Sequence, residues 1–432
     1  MSQTLKAVRG TRDLLPPETA LWNRIEATAR AVFARYNFGE IRTPIFEDTS
    51  LFARGVGEET DIVSKEMYTW EDRARAQSEK AQSLTLRPEN TAGVVRAYIE
   101  HKLGETGQLQ KLYYIGPQFR RERPQKGRFR QFWQIGAEVI GPPSAGSEGP
   151  VRDAEVLEML ATLLDEMGIT GWTLELNSVG SAADRARYND ALRAALAPLA
   201  PTMCADCQRR AVTNPLRVLD CKVPEDQPII ATLPVIADSL DEESRTHFAA
   251  VKSALDVAGV PYHLNPRLVR GLDYYTRTTF EFTHGGLGAQ NALLGGGRYD
   301  GLSEMIGGPK APGIGFAMGL DRLVLTLQAQ EAAQSAGVVA PKVDAYIAPL
   351  GEGVNAAALA LARELRRAGL AVELGDGSFR LKKSFEAADK TARRIVILGE
   401  DELQSGILTV KDFSTGVQSK VPRAELVETL RG

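Results

Sequence analysis

Residues 112–141, LYYIGPQFRRERPQKGRFRQFWQIGAEVIG, decide the fold of this chain because they join two strand-like arms through a basic loop. The arms, residues 112–119 and 131–140, are rich in the aromatic and β-branched residues that favour strands. The loop carries six cations and one acid: Arg120, Arg121, Arg123, Lys126, Arg128 and Arg130, with Glu122. Guanidinium groups in such number repel one another unless an anion is present, and their planar forks suit phosphate oxygens. The stretch predicts a long antiparallel hairpin with a phosphate-binding tip; a solvated basic turn is the alternative.

Length and composition indicate an ordinary soluble protein of roughly two to four domains. Of its 432 residues, 43% are hydrophobic and 25% are charged, which excludes a disordered chain. No apolar run approaches the ~20 residues of a spanning helix, and the N-terminus MSQTLKAVRGTRD lacks the apolar segment of a signal peptide. We therefore expect a cytoplasmic protein with no membrane partner. The net charge of −3 means that nucleic acid would bind only through local basic patches.

The three cysteines give an ambiguous signal. Cys204, Cys207 and Cys221 form the pattern CADCQRR…LDC, whereas a structural zinc site needs about four ligands. The nearest candidate for a fourth ligand is His247, in a segment that reads as an acidic helix. Because that ligand is missing, we do not expect zinc, and reduced thiols packed in a small subdomain fit equally well.

Hydrophobic periodicity predicts an α+β fold built on a largely antiparallel sheet with flanking helices. Residues 17–36 place apolar side chains at helical spacing. The strand that follows, EIRTPIFE, contains Pro44, which confines it to a sheet edge or an interface. Residues 184–256 are rich in Ala, Arg and acidic residues and are broken by prolines, which predicts a mostly helical insertion. Strand-like sequence resumes at Tyr262 and lets the sheet close.

The chain should divide into two domains and a linker. Residues 1–329 form the first domain, interrupted by the insertion at 180–258. A small polar linker at 330–341 leads to an α/β domain at 342–432. That last domain alternates strands and helices at 343–348, 354–367, 370–374, 382–394 and 395–398. The stretch 377–394 is basic: Arg380, Lys382, Lys383, Lys390, Arg393 and Arg394 face only two acids. It indicates a solvated helix face or, beside a phosphate-binding domain, a nucleic-acid surface.

Nucleotide-binding fingerprints of the common kinds are absent from the sequence. There is no Walker loop, and GIGFAMG at 313–319 has Met318 where a dinucleotide fingerprint needs its third glycine. Two further arginines, Arg270 and Arg322, occur instead in glycine-containing segments far from the hairpin. A dehydrogenase or a P-loop kinase is therefore excluded.

Several segments resemble the histidyl-tRNA synthetase family of class II aminoacyl-tRNA synthetases. They are LTLRPENTAG at 84–93, FRRERPQKGRFRQF with QIGAEVIG in the hairpin, LVRGLDYYTRT at 268–278, GGGRYDGL at 295–302 and GIGFAMGLDRL at 313–323. They stand in the family's order over almost the whole chain. The resemblance implies a class II catalytic domain and a C-terminal anticodon-binding domain. It also implies ATP with Mg²⁺, L-histidine and tRNA(His) as substrates, and a homodimer through the motif 1 region around Pro44.

The same resemblance implies site residues. Arg270 would be catalytic, because it matches an arginine where relatives place a metal, and Arg120 would grip the α-phosphate of ATP. Arg128 and Arg322 complete the ATP contacts. The histidine pocket would consist of Glu89, Thr91, Gln134, Glu138, Tyr275 and Tyr299, with Glu138 and Tyr275 at the imidazole and Glu89, Thr91 and Gln134 around the α-amino group. Arg123 and Gln125 would read the acceptor end of the tRNA. No metal ligand is assigned to a protein side chain.

Two residues depart from the family pattern, and one alternative function remains. Asn90 replaces a usual glycine, and Trp133 stands where many relatives have histidine; both adjoin pocket residues, so affinity could differ. A site built on hydrogen bonds rejects analogues that lack them, so no editing domain is expected. The alternative is a non-catalytic, synthetase-like regulatory subunit of ATP phosphoribosyltransferase. Such proteins generally lack the C-terminal domain and degrade the arginine motifs, whereas this chain keeps both.

Overall fold

A computed structural model describes residues 4–57, 60–72, 81–125, 127–272, 274–287, 291–333 and 342–431. The chain forms two compact units, Met1–Ala336 and Gly337–Gly432. Lys126, Asp273 and residues 334–341 of the predicted linker lie outside the described residues. Within the described ranges, every helix is too short or too polar to cross a membrane.

The first unit contains eleven strands in its described part. They are β1 (Gly39–Glu40), β2 (Phe46–Asp48), β3 (Tyr68–Asp72), β4 (Gln82–Leu86), β5 (Gln110–Phe119), β6 (Gln131–Ile140), β7 (Trp172–Ser178), β8 (His263–Leu264), β9 (Thr276–His284), β10 (Ala292–Arg298) and β11 (Gly313–Gly319). Eight of them form one sheet in the order β1-β5-β6-β11-β10-β9-β7-β8. Its six central strands are antiparallel, and only the short edge strands β1 and β8 run parallel to their neighbours. This confirms the expected largely antiparallel sheet.

The predicted hairpin is the pair β5–β6. Its arms pair from Gln110 opposite Ile140 to Phe119 opposite Gln131. Alternation of side chains along β6 sends Ile135, Ala137 and Val139 into the main core. Gln134 and Glu138 consequently face the other side of the sheet. One face of the sheet is therefore apolar and the other carries polar groups.

Helices cover the apolar face. The first unit's described helices are α1 (Glu18–Arg35), α2 (Thr49–Val56), α3 (Thr91–Glu100), α4 (Pro150–Glu166), α5 (Ala182–Leu196), α6 (Ala205–Thr213), α7 (Gln227–Thr232), α8 (Glu242–Ala258), α9 (Leu302–Met305) and α10 (Leu320–Ala333). Phe33 of α1, Leu157 of α4, Leu255 of α8 and Leu323 of α10 share one buried cluster with Phe316 of β11. Burial of each such side chain contributes about 1.5–3 kcal/mol.

The segment around Pro44 contains two short strands in place of one. β1 ends at Glu40 and joins the edge of the large sheet, whereas β2 begins at Phe46 and lies at an edge of a separate sheet with the order β2-β4-β3. Pro44 lies between them. Since proline cannot donate a ladder hydrogen bond, its place between two edge strands agrees with the sequence prediction.

Residues of the predicted insertion contribute to two cores. Helices α5 and α6 contribute Tyr188 and Cys207 to a second buried cluster. Helix α8, the last part of the insertion, packs instead against α4 in the main core. The insertion therefore contributes part of the layer that supports the sheet.

The second unit is a mixed α/β domain. It contains β12 (Val343–Pro349), β13 (Val372–Leu374), β14 (Ala392–Leu398), β15 (Ile407–Asp412) and β16 (Gln418–Pro422), with helices α11 (Asn355–Arg367), α12 (Leu381–Thr391), α13 (Glu400–Ser405) and α14 (Leu426–Arg431). The sheet order is β13-β12-β14-β15-β16. Strands β12, β13 and β14 are parallel, and β15 and β16 are antiparallel. The expected α/β class is confirmed.

The predicted helix at 382–394 was wrong at its end. Helix α12 ends at Thr391, so Arg393 and Arg394 belong to β14. Arg394 Nε lies 2.8 Å from an Asp412 carboxylate oxygen, and Arg393 lies 3.5 Å from Asp344. These two cations are therefore paired within the unit, and the basic helix is shorter than the sequence indicated.

Candidate active site

The polar face of the large sheet borders a cavity of about 630 Å³ in the first unit. Eight of the residues predicted to bind histidine or ATP line it: Glu89, Thr91, Arg120, Arg128, Gln134, Arg270, Tyr275 and Arg322. They come from the hairpin, from the start of α3, from the loop before β9 and from the start of α10. The fold thus gathers side chains that are as far apart as 233 positions in the sequence (89 to 322).

Glu138 lies buried beside this cavity. Its carboxyl group accepts hydrogen bonds from the Thr91 hydroxyl at 2.7 Å and the Tyr299 hydroxyl at 2.6 Å. Burial raises the pKa of Glu138 to about 8, although both hydroxyl donors oppose the shift. Opposite it on β11, a side chain at Gly315 would overlap the carboxyl group. Because Gly315 has no side chain, the Glu138 carboxyl group can lie over that position of the neighbouring strand.

Glu89 is the second buried carboxyl group. It accepts hydrogen bonds from the backbone N–H groups of Thr91 at 2.6 Å and Ala92 at 3.0 Å, at the first turn of α3. Burial raises its pKa, and those backbone donors oppose the shift. The N-terminus of a helix stabilises an anion. Glu89 therefore offers a carboxylate at the cavity wall that could receive an ammonium group.

The hairpin arginines of the cavity are held by fixed partners. Arg120 Nε donates to the Pro88 carbonyl at 2.9 Å, and its guanidinium group lies 5.2 Å from the centre of the Phe132 ring. Arg128 forms an ion pair with Glu122 at 2.8 Å. Such contacts hold the planar groups in place before a ligand arrives.

Arg270 enters the cavity from the loop before β9. Its Nη1 lies 2.9 Å from a Glu281 carboxylate oxygen, and its buried Nε has no hydrogen-bond partner among the described residues. From the sequence alone, Arg270 could instead be a structural residue paired with Asp273, but Asp273 lies outside the described residues. Arg270 therefore has one buried N–H donor without a partner among the described residues, in a cavity lined by both acids and arginines.

Arg322 closes the cluster of cations. Arg322 lies in the first turn of α10, and its Nη1 donates to the Ala292 carbonyl at a distance of 2.6 Å. Burial, and next the neighbouring guanidinium group of Arg128, lower the pKa of Arg322. Arginine stays charged under such a shift. Guanidinium groups that repel one another in this way are typical of a site that binds an anion.

Arg123, Gln125 and Tyr299 lie outside the cavity lining. Tyr299 is 1% exposed, and its hydroxyl donates to Glu138 beside the cavity. Arg123 and Gln125 are exposed near the tip of the hairpin. The backbone of Gln125 exchanges hydrogen bonds with that of Arg128, which closes the described part of the tip.

Several cavity residues were not predicted from the sequence. Glu122 and Glu281 hold the cavity arginines, and the insertion adds Arg210, Asp220 and Lys222 to the wall. Glu281 had a usable signal, because it is an acid within the apolar strand FEF. The insertion residues had none, since only the tertiary fold brings them to the cavity.

The two departures from the family pattern point away from the cavity. Asn90 accepts a hydrogen bond from the Thr43 hydroxyl at 2.5 Å and contacts Arg87 at 3.5 Å, beside Pro44. Trp133 meets Trp22 of α1 edge to face at 6.4 Å on the opposite side of the sheet. Neither substitution therefore alters the cavity wall directly.

The cysteines of the insertion lie together, with a different fourth group from the predicted one. His247 is buried in α8 with its Nε2 3.7 Å from Asp153, so its selection as the fourth ligand was wrong. Asp226 takes that place: its carboxylate and the thiols of Cys204, Cys207 and Cys221 lie within 4.8 Å of one another. The missing ligand is therefore no longer an argument against a metal.

Comparison with known proteins identifies the family. A family model described as "Histidyl-tRNA synthetase" matches residues 10–323, and one described as "Anticodon binding domain" matches residues 344–432. The histidine–tRNA ligase of Koribacter versatilis (strain Ellin345) is 72% identical over 99% of this chain and 96% of its own length. That of Solibacter usitatus (strain Ellin6076) is 56% identical over 99% of both chains.

A solved structure gives the same result for the fold. The apo histidyl-tRNA synthetase of S. aureus is 37% identical, with a TM-score of 0.79, over 99% of this chain and all of the other. Family match, full-length relatives and structure thus agree with the cavity geometry. This chain belongs to the histidyl-tRNA synthetase family.

Proposed function

We propose that this protein is a histidine–tRNA ligase that forms histidyl-adenylate from L-histidine and ATP and then transfers histidine to the 3′ end of tRNA(His). The observation that carries the proposal is a single cavity served by two chemically distinct groups of side chains. Glu138 and Tyr299 lie beside the cavity and form a buried hydrogen-bonded group with Thr91 of its lining. The guanidinium groups of Arg120, Arg128 and Arg322 line the same cavity.

The first group of side chains suits the histidine side chain and amino group. An imidazole ring needs an acceptor for its N–H and a second polar group that fixes the tautomer, and Glu138 and Tyr275 can supply them. Glu89 and Gln134 line the same cavity and can receive the α-ammonium group. Gln134 supports this role because its side-chain oxygen is buried without a partner among the described residues.

The second group, the guanidinium groups, suits the reaction itself. A carboxylate oxygen of histidine forms a bond to the α-phosphorus of ATP while the bond from that phosphorus to the α,β-bridging oxygen breaks and pyrophosphate leaves. Both reactants are anions, so fixed cations must hold them together and stabilise the charge that develops. Arg120 would hold the α-phosphate, and Arg128 and Arg322 the rest of ATP. Arg270 would contact both the carboxylate and the α-phosphate.

The cavity also suits the magnesium that accompanies ATP. Mg²⁺ is bound by oxygen ligands, commonly one or two carboxylates together with substrate phosphates. Glu122 and Glu281 line the cavity beside the arginines and would hold it. Bound there, the ion would neutralise phosphate charge.

The tRNA would contact both units. Arg123 and Gln125 are exposed near the hairpin tip and would meet the acceptor end. The second unit matches an anticodon-binding domain over residues 344–432. Helix α12 keeps Lys382, Lys383 and Lys390 for phosphate contacts there.

A cytoplasmic homodimer completes the proposal. Ile45, Phe46 and Trp70 are 45%, 52% and 40% exposed beside Pro44, although all three are large and apolar. Phe46 and Trp70 contact each other edge to face at 6.1 Å, so they form one patch. Exposed apolar patches mark association surfaces. This patch would be part of the dimer interface.

The regulatory alternative is less supported. The 72% and 56% identical relatives, which match this chain over 96% and 99% of their own length, are named as ligases, and the anticodon-binding match is present. All four predicted arginines of the cavity are retained. A non-catalytic subunit would have no use for them.

Histidine-dependent exchange between ATP and labelled pyrophosphate tests the proposal in the purified full-length protein. Exchange that requires histidine and is not supported by other amino acids is the expected result. A folded protein that binds histidine but catalyses no exchange would point to the regulatory function instead. Attachment of labelled histidine to tRNA(His) tests the second step.

A further inference from the structure

The insertion contains a cluster of three thiols and a carboxylate that the proposed reaction does not use. Cys207 and Cys221 are 0% and 6% exposed, Asp226 is 2% exposed, and Cys204 is half-buried. The four ligand atoms lie within 4.8 Å of one another. Since each group comes from a different position along residues 204–226, the cluster is a product of the fold of this segment.

Two of the distances between these atoms are close to the edge of a tetrahedral metal shell. Ligands about 2.3 Å from a central ion stand roughly 3.8 Å apart at the corners of a regular tetrahedron. The Sγ atoms of Cys204 and Cys221 are 3.9 Å apart, and Cys221 Sγ is 3.3 Å from Asp226 Oδ2. A disulfide between Cys204 and Cys221 would require a separation of about 2.05 Å.

The backbone around the cluster offers donors to anionic sulfur. Cys204 directly precedes α6 and Cys207 lies in its first turn, where the helix N-terminus offsets part of the cost of burying a thiolate. The backbone N–H of Val223 donates to Cys221 Sγ at 3.4 Å.

The buried carboxylate points the same way. Among the described residues, no lysine or arginine forms an ion pair with Asp226; its partners are the Cys204 N–H and Cys221. A buried charge needs a counter-ion or a metal.

We infer that Cys204, Cys207, Cys221 and Asp226 form a structural Zn²⁺ site. A closed shell of three thiolates and one carboxylate leaves no open position, which is the arrangement of structural rather than catalytic zinc. Sulfur-rich tetrahedral sites select zinc over the harder Mg²⁺ and Ca²⁺. The ion would link the two ends of the segment 204–226.

The proposed site also supports the catalytic cavity. Cys221 lies between Asp220 and Lys222, and both neighbours line the cavity wall. The same segment holds the Arg270 loop, because the Arg217 side chain donates to the Gly271 carbonyl. Zinc would therefore fix the position of one cavity wall while remaining outside the reaction.

Metal analysis of the full-length protein, expressed with zinc and purified without chelator, gives the first test. About one zinc per chain is expected in the parent and in Glu225→Gln, a control at the exposed neighbour of Asp226. Cys207→Ser should lose the metal and Asp226→Asn should bind it more weakly. A parent protein with no zinc, or equal zinc in all variants, would overturn the inference.

Two measurements on the parent protein do not depend on the folding of variants. Alkylation of the thiols should be slow until a zinc chelator is added and should become slow again when zinc is restored. Co²⁺ in place of zinc should give the thiolate charge-transfer absorption and the visible bands of a tetrahedral site. Thiols equally reactive with and without chelator, or a Cys204–Cys221 disulfide in the fresh protein, would exclude the metal site.

Discussion

The guanidinium group of Arg270 lies against the backbone of Gly295, so closely that a Cβ at that position would stand 2.5 Å from the guanidinium carbon. Real Cβ atoms do not approach other atoms so closely, so any side chain at position 295 must displace Arg270. Glycine is therefore needed at position 295, the first of the run 295–297, to leave room for Arg270. It provides the flat surface on which the proposed catalytic arginine rests.

Gly295→Ala should consequently lower the rate of adenylate formation, by roughly 10²-fold if Arg270 loses its position, since misplacement by about 1 Å can cost that much. Gly301→Ala is the matched control in the same motif, because a Cβ there meets nothing within 4 Å. Single-turnover formation of histidyl-adenylate measures the effect. Equal rates in the two variants would show that the placement of Arg270 against Gly295 does not matter.

Replacement of Arg270 itself separates charge from geometry. Arg270→Lys keeps the charge but loses the planar fork, so we expect strong impairment; Arg270→Ala should fall further, by about 10² to 10³ or more in kcat. Substrate affinities should change less than the rate, because the contact strengthens as charge develops on phosphorus. Comparison of adenylate formation with transfer from preformed adenylate isolates the step. Normal adenylation with slow transfer would contradict the assigned role.

Glu138 should make stability depend on pH. Its folded-state pKa of about 8 lies above its ordinary value of 4.5. For an acid with a raised pKa, the stabilising contribution is full below pH 4.5 and is lost as the pH rises through about 8. Each pKa unit corresponds to about 1.4 kcal/mol. Glu138→Gln keeps the shape and removes the titration, so its thermal stability relative to the parent should increase between pH 5 and pH 8.

Melting curves of Glu138→Gln and the parent at several pH values test this. Glu148→Gln serves as control, because that carboxylate is partly exposed in a surface pair with Lys310. A difference in Tm that stays constant across the range would mean that Glu138 is ionised throughout in the folded protein.

Histidine-dependent exchange by Glu138→Ala should also fall, at a cost of about 2 to 4 kcal/mol in transition-state binding, because the imidazole donor is left unpaired.

The sequence was informative where a local pattern carries the structure. The hairpin β5–β6 follows from its β-branched arms, and the polar positions Gln134 and Glu138 follow from their alternation with the buried residues between them. The four arginines of the cavity were found because each belongs to a motif with a recognisable order. Motifs of this kind report chemistry as well as position.

The sequence was uninformative where partners meet only in the folded chain. Asp226 is an ordinary acid in the stretch VPEDQ, and nothing in that stretch marks it as the neighbour of three thiols. Lys222 and Asp220 reach the cavity only because the insertion folds back onto it. Strands β15 and β16 were missed because their polar residues and the loop between them mask the alternation.

Removal of the second unit, residues 337–432, should separate the two steps of the reaction. The cavity and all its proposed contacts with histidine and ATP lie in the first unit, so adenylate formation should proceed at a rate close to the parent's. Attachment of histidine to tRNA should weaken, and its dependence on salt should become shallower, since each lost phosphate contact lowers the slope. Pyrophosphate exchange and tRNA charging, measured over a range of salt concentrations on the same preparation, distinguish the steps. If a folded truncated protein loses both activities together, the second unit has a role in activation beyond the binding of tRNA.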